Sequence, residues 1–160
     1  HTLLQKLFYF LEYARGKELG YRYRLYHYGP YCPEVWADLS YLEDIGAVAV
    51  VGGPNGFGYH IHPQGAIQAL LRFTDEDLKK EVNSLLDFLG RRPVRELECL
   101  ATTHYVYKEL QFTQNEPPPT WEAVVKGVRA LKPHLSEAEV QAAWMALQGQ
   151  GLVEVTPGHR

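Results

Sequence analysis

The stretch Tyr26-His27-Tyr28-Gly29-Pro30-Tyr31-Cys32-Pro33-Glu34-Val35-Trp36-Ala37-Asp38-Leu39-Ser40-Tyr41-Leu42-Glu43-Asp44-Ile45-Gly46 decides how the chain folds. Its first part is a stiff aromatic entry: Gly29 supplies backbone freedom, while Pro30 fixes its own φ and turns Gly29 away from the α region. Pro33 suits the first turn of a helix, where a missing N–H leaves nothing unsatisfied. Val35, Leu39, Leu42 and Ile45 then recur at helical spacing as one apolar stripe. Gly46 ends that helix and Ala47–Val51 reads as a strand. Helix, glycine, strand is how the third helix of a winged helix-turn-helix runs into its wing.

Outward from this stretch, residues 3–15 read as a helix with Leu3, Leu7, Phe10, Leu11 and Ala14 inward, closed by Gly16. Tyr21, Tyr23 and Leu25 alternate with Arg22 and Arg24, an extended piece with one wet face. Val48–Val51 and Phe57–Ile61 flank a Gly/Asn-rich loop, a wing-like hairpin ended by Pro63. A short helix is expected over 65–73. Thr74 caps a longer one running to Leu89, with Leu78, Val82, Leu85, Leu86 and Leu89 inward. Gly90-Arg91-Arg92-Pro93 marks a boundary. Beyond it the pattern gives helices over 94–110, over 121–131 capped by Thr120, and over 137–147 capped by Ser136, then a strand over 152–155. Asn115–Thr120 is a loop, and the last five residues read as frayed.

An internal echo runs through this parse. Glu34, Val35 and Ala37 match Glu139, Val140 and Ala142 at an offset of 105, and at that offset Leu42 meets Leu147, Gly46 meets Gly151 and Val48 meets Val153. The expected architecture is therefore mostly α within an α+β class: a winged-helix-like half at 1–73, a connecting helix and linker at 74–92, and a second winged-helix-like half at 93–160.

Length and composition bound the function. With 160 residues, 46% hydrophobic and 22% charged, the chain can bury a core. A net charge of −3 gives no global attraction to phosphate. Cys32 and Cys99 fit no metal or redox spacing and read as free thiols of a reducing compartment. No apolar run approaches the roughly 20 residues of a bilayer span, and no secretory leader is visible, so the expected location is cytoplasmic. The sequence opens on His1 rather than Met, which leaves the native N-terminus open.

The residues that carry chemistry are few. The helix after Pro33 presents Glu34, Asp38, Tyr41 and Asp44 and holds no Lys or Arg, so it has nothing to grip phosphates, whatever a winged helix does elsewhere. The basic residues lie apart from it. Arg22 and Arg24 interleave with tyrosines, an arrangement that either stacks on single-stranded bases or lays Arg stems over packed rings. Arg91, Arg92 and Arg95 cluster at the boundary, as helix-end solvation or as an alternative nucleic-acid patch. His60 and His62 project from one face of a strand but lack further ligands for a tetrahedral metal site, and His27 and His104 read as core or boundary residues. No nucleophile–base pair, phosphate loop or cofactor fingerprint is present, so no catalytic residue, cofactor or metal is assigned. What remains is recognition of protein. Tyr26, Tyr28, Tyr31, Trp36 and Tyr41 crowd one turn; they form either a contact surface or a scaffold core.

At this point the residues resemble a known family. Leu4-Gln5-Lys6-Leu7-Phe8-Tyr9-Phe10-Leu11 followed by Tyr26-His27-Tyr28-Gly29-Pro30-Tyr31-Cys32-Pro33-Glu34-Val35 is similar to the Panacea domain of SocA-like antitoxins and proteolysis adapters, with the related YwgA-like proteins. The match covers roughly residues 3–50, and Lys6, Tyr9, Tyr28, Gly29, Pro30 and Pro33 fall on the family pattern. The arginine–tyrosine run before the turn looks closer to the YwgA-like branch, and residues 93–160 match nothing in the pattern. The resemblance implies a non-enzymatic module that contacts a partner protein, such as a toxin or a protease. Tyr26, Tyr28, Tyr31, Glu34, Asp38 and Tyr41 are then the contact residues, and Lys6, Gly29, Pro30 and Pro33 the structural motif. DNA binding is the alternative, and the sequence leaves the oligomeric state open.

Overall fold

The computed structural model describes residues 2–53, 58–113 and 118–154. Seven helices and two hairpins follow one another among these residues: α1 (Thr2–Tyr13), β1 (Arg24–Tyr26), β2 (Gly29–Tyr31), α2 (Pro33–Asp44), β3 (Val48–Gly52), β4 (Tyr59–Pro63), α3 (Ile67–Leu71), α4 (Glu76–Leu89), α5 (Val94–Thr113), α6 (Trp121–Leu131) and α7 (Glu137–Gly149). The chain is mostly α, with two small antiparallel sheets, β1–β2 and β3–β4. The tips of the expected wing and of the loop before α6, and the C-terminal residues from Val155 on, lie outside the described residues. No described helix is long and apolar enough to cross a membrane.

Helix α5 is the centre. It packs against α1, α6, α7 and β2, so Leu97 to His104 are all buried. A helix enclosed on several sides loses the one-stripe pattern that sequence reading relies on. Its approach to α6 needs a missing side chain: a Cβ on Gly127 would stand 2.7 Å from Val106 Cγ1. One continuous core takes Leu7, Phe10 and Leu11 from α1, Leu85 and Leu89 from α4, Val124 and Val128 from α6, and Val140 and Leu147 from α7.

The expected helices form, with adjusted ends and faces. Helix α1 starts at Thr2 and buries Gln5, Lys6 and Tyr9 beside Leu7, Phe10 and Leu11, because β2, α4 and α5 flank it on different sides. Helix α4 is capped by Asp75, which accepts from Asp77 N, rather than by Thr74. Leu86 on that helix stays 36% exposed. Thr120 and Ser136 cap α6 and α7 as expected, the latter with a full capping box to Glu139. On α2 only Val35 and Leu39 are fully buried; Ile45 is the C-cap and 41% exposed. The strand expected at 152–155 is absent over residues 152–154. Leu152 and Val153 bury against the helical core and find no strand partner.

The internal echo is seen at the helix ends and in the burial of matched positions. Gly46 and Gly151 adopt φ of 76° and 72°. Ala47 N donates to Leu42 O and Leu152 N to Leu147 O, both at 2.9 Å. Gly46 N donates to Glu43 O and Gly151 N to Gln148 O, both at 3.0 Å. These are two copies of one glycine-terminated cap whose bonds span residues in the Schellman pattern. Val35 and Val140 are buried alike, as are Leu39 and Trp144, and Val48 and Val153.

The two-residue turn between β1 and β2 pairs Arg24 with Tyr31, Leu25 with Pro30 and Tyr26 with Gly29. Gly29 has φ of 93°, and a Cβ there would meet Thr102 Oγ1 at 3.0 Å and the Glu98 carbonyl oxygen at 3.4 Å. Both the dihedral and the space exclude a side chain. Gly29→Ala is therefore expected to lose about 2–4 kcal/mol of unfolding free energy in urea denaturation; a loss under about 0.5 kcal/mol would show that the turn does not sit against α5 in this way.

Candidate interaction surface

The turn over 26–31 is held from beneath by side chains that water scarcely reaches. Lys6 Nζ donates to Pro30 O at 2.8 Å. Gln5 clamps the next residue from both sides, Nε2 donating to Cys32 O and Oε1 accepting from Cys32 N, each at 3.0 Å. From the other end of the chain, Lys132 Nζ donates to Tyr26 O and, at 2.7 Å, to His27 O. Glu98 Oε1 lies 3.5 Å from Lys132 Nζ and 3.0 Å from His134 Nε2. Lys6, Glu98 and Lys132 are 2%, 4% and 8% exposed. Two ammonium groups thus hold the carbonyls of Tyr26, His27 and Pro30, and the Gln5 amide holds Cys32.

Burial sets the ionisation of this group. Loss of hydration pushes the Lys6 ammonium down to about 7, with Glu98 opposing that shift and Lys132 adding to it. Nearby, burial pushes His104 down to about 3, so its ring stays neutral and Nδ1 lies 2.8 Å from the Tyr9 hydroxyl. Burial also raises the Cys32 thiol, which donates to Glu34 Oε2 at 3.0 Å. That bond holds the Glu34 carboxylate below its usual range.

Above this floor the aromatic side chains face solvent. Tyr26 is 53%, Tyr28 59% and Tyr41 63% exposed. Tyr31 is half-buried, its ring 5.5 Å from that of Tyr26. Thr2, Gln5 and Lys6 of α1 and the turn residues Tyr26, Tyr28 and Tyr31 line a groove of about 370 Å³. Glu34 and Asp38 are exposed on α2, Asp38 accepting a hydrogen bond from the Tyr21 hydroxyl. His27 is exposed at the turn rather than a core or boundary residue.

Arg22 and Arg24 are exposed beside the hairpin, and Arg91 is exposed after α4. Arg92 lies 4.7 Å over the Phe88 ring and donates to Phe88 O and Glu96. Arg95 forms a two-pronged bond to Glu139, 2.6 Å at the shorter contact, and donates to His134 O. His60 and His62 share a face, their rings 6.3 Å apart; among the described residues no three His, Cys, Asp or Glu side chains gather in a way that could hold a metal ion.

Lys6, Gly29 and Pro30 meet at one place, while Pro33 starts α2. Gln5, Glu98, Lys132 and His134 complete the floor and escape sequence reading. A polar residue on a helix ordinarily reads as the wet side, and the Lys132 side chain reaches a turn 105 residues away in sequence. No protein-family model matches the chain, and no curated protein matches it.

The Lys6 geometry gives a pH dependence. Its folded pKa lies below the unfolded one, so the unfolded chain binds more protons between about 7 and 10.5 and the Lys6 contribution to stability rises with pH across that window. It is lost as pH falls through about 7. The unfolding free energy of the wild type minus that of Lys6→Met is expected to rise by a few kcal/mol (roughly 2–4) from pH 7 to pH 10. A flat difference would show that Lys6 titrates as if hydrated.

Proposed function

We propose that the chain is a non-enzymatic protein-interaction module of Panacea or YwgA type, an antitoxin-like or adapter-like cytoplasmic protein acting by direct contact with a partner such as a toxin or a protease. The observation that carries this reading is the pairing of half-exposed Tyr26 and Tyr28 with a turn backbone fixed by two buried lysines. Tyrosine gives large contact area at low entropic cost, and a turn ordered before binding loses little further entropy on binding. In this reading Tyr26, Tyr28, Tyr31 and Tyr41 supply the apolar contact, and Glu34 and Asp38 the charge. The two helix–glycine units belong to winged-helix-like halves at 1–73 and 93–160, and the matching caps at Gly46 and Gly151 support that view.

DNA is the weaker reading. Helix α2 carries Glu34, Asp38, Glu43 and Asp44 and no cation, and Arg92 and Arg95 already pair with Glu96 and Glu139. Nothing on α2 offsets the repulsion from phosphate.

The test is a comparison of tagged wild type with Tyr26→Ala/Tyr28→Ala in native extract, read by quantitative mass spectrometry. Exposed tyrosines remote from the core change stability by only about 0.5 kcal/mol, so the variant should melt with the wild type and lose the partner. Equal capture by the two proteins would overturn the assignment of the turn. A mobility shift with duplex DNA at low salt that falls steeply with added salt would favour the alternative; no shift is expected.

A further inference from the structure

A second cavity, of about 340 Å³, lies on the opposite end of α1 from the tyrosine turn's lysine anchor and shares no residue with the groove described above. Its walls are aromatic: Tyr9 and Tyr13 from the last turns of α1, Tyr23 from the segment before β1, and Tyr105 and Phe112 from α5. Three of these rings lock one another in place. Tyr9 and Tyr23 meet edge to face at 5.4 Å and Tyr13 and Tyr23 at 5.6 Å, while Tyr9 and Tyr13 lie tilted at 5.3 Å.

The electrostatics of this cavity point one way. Helix α1 ends at Tyr13 and α5 at Thr113, so both bring their C-terminal ends to it, and neither carries a basic residue in its last turn. The negative ends of two helix dipoles therefore lie at the cavity, with no basic residue in either last turn to offset them. Glu109 adds a carboxylate to the lining, one helical turn beyond Tyr105. Among the described residues the Tyr23 hydroxyl has no hydrogen-bond partner, on a side chain only 8% exposed. A buried hydroxyl left in that state costs free energy that an N–H or hydroxyl group of a ligand would recover. Burial holds the Tyr9 and Tyr23 phenols well above their ordinary range, so the rings stay neutral. One charge of the other sign, Lys108, lines the same cavity, but its side chain is exposed and its ammonium can stay in water.

We propose that this cavity binds a small organic cation, a quaternary or protonated amine. Rings that stack around a cation, a carboxylate at the rim and two helix C-termini are the elements that recognise such a group. The volume is that of a small-molecule site at the lower end of the usual range. The inference stands apart from the partner-binding reading, since none of its residues belongs to the tyrosine turn.

The experiment titrates the full chain with choline and, separately, with its uncharged isostere 3,3-dimethylbutan-1-ol, following tyrosine ring resonances by NMR. Choline is expected to shift the resonances of Tyr13, Tyr23 and Tyr105 and to bind about tenfold more tightly than the isostere. Glu109→Gln should weaken choline several-fold and Lys108→Ala should tighten it; both side chains are exposed, so folding is retained. A trimethyl-lysine peptide run beside choline assigns the source: tighter binding of the peptide places the cation on a protein, tighter binding of choline on a free metabolite. Equal binding of choline and its isostere would mean the cavity is merely apolar, and an absence of shifts from choline and peptide alike would remove the site; either result overturns the proposal.

Discussion

Everything in the first third of the chain depends on two buried ammonium groups holding the carbonyls of one short turn. A tight turn laid against a helix has oxygens that neither a ladder nor water can satisfy, and an unpaired buried carbonyl costs about 1–3 kcal/mol. Lys6 answers Pro30, and Lys132 answers Tyr26 and His27. Burying the two cations is itself unfavourable, and the single carboxylate of Glu98 offsets only part of it. The unbalanced charge is relieved by Lys6 giving up its proton more readily than a hydrated lysine does. The turn is thus held by a group kept near its titration point.

Helix α5 makes this possible by facing several surroundings at once. Glu98 and Thr102 lie beneath the turn, His104 turns toward Tyr9 of α1, and Leu97, Leu100 and Tyr107 join the apolar core. The same helix must also approach α6 closely, which Gly127 permits. A substitution on α5 is for this reason felt in two places: a change at Glu98 removes a partner from Lys132 and from His134 together.

Most helix boundaries were legible in the sequence because local chemistry sets them. Thr120 and Ser136 accept from the backbone they cap, and Gly46 and Gly151 take positive φ whatever the tertiary context. What stayed hidden were features set by contacts distant in sequence. Gln5 and Lys6 sit inward because a hairpin covers α1 on the side that periodicity marks as wet. Leu152 and Val153 have the composition of a strand, yet strands need a partner, and the helical core takes these residues first. At the site, Tyr26, Tyr28, Glu34 and Asp38 were visible as residues, but their exposure was not: whether a tyrosine is wall or surface depends on what packs behind it.

The same distinction explains why the motif residues of the turn divide into two kinds. Lys6, Gly29 and Pro30 are fixed by geometry, since Gly29 alone fits against Thr102 and the Pro30 carbonyl needs the Lys6 donor. Tyr26 and Tyr28 answer to no such demand, being more than half in water on a backbone that would hold its shape without their rings. The fold needs the first kind to exist at all. Large apolar rings kept in water on a rigid support add little to that support, and the proposed contact with a partner rests on that difference.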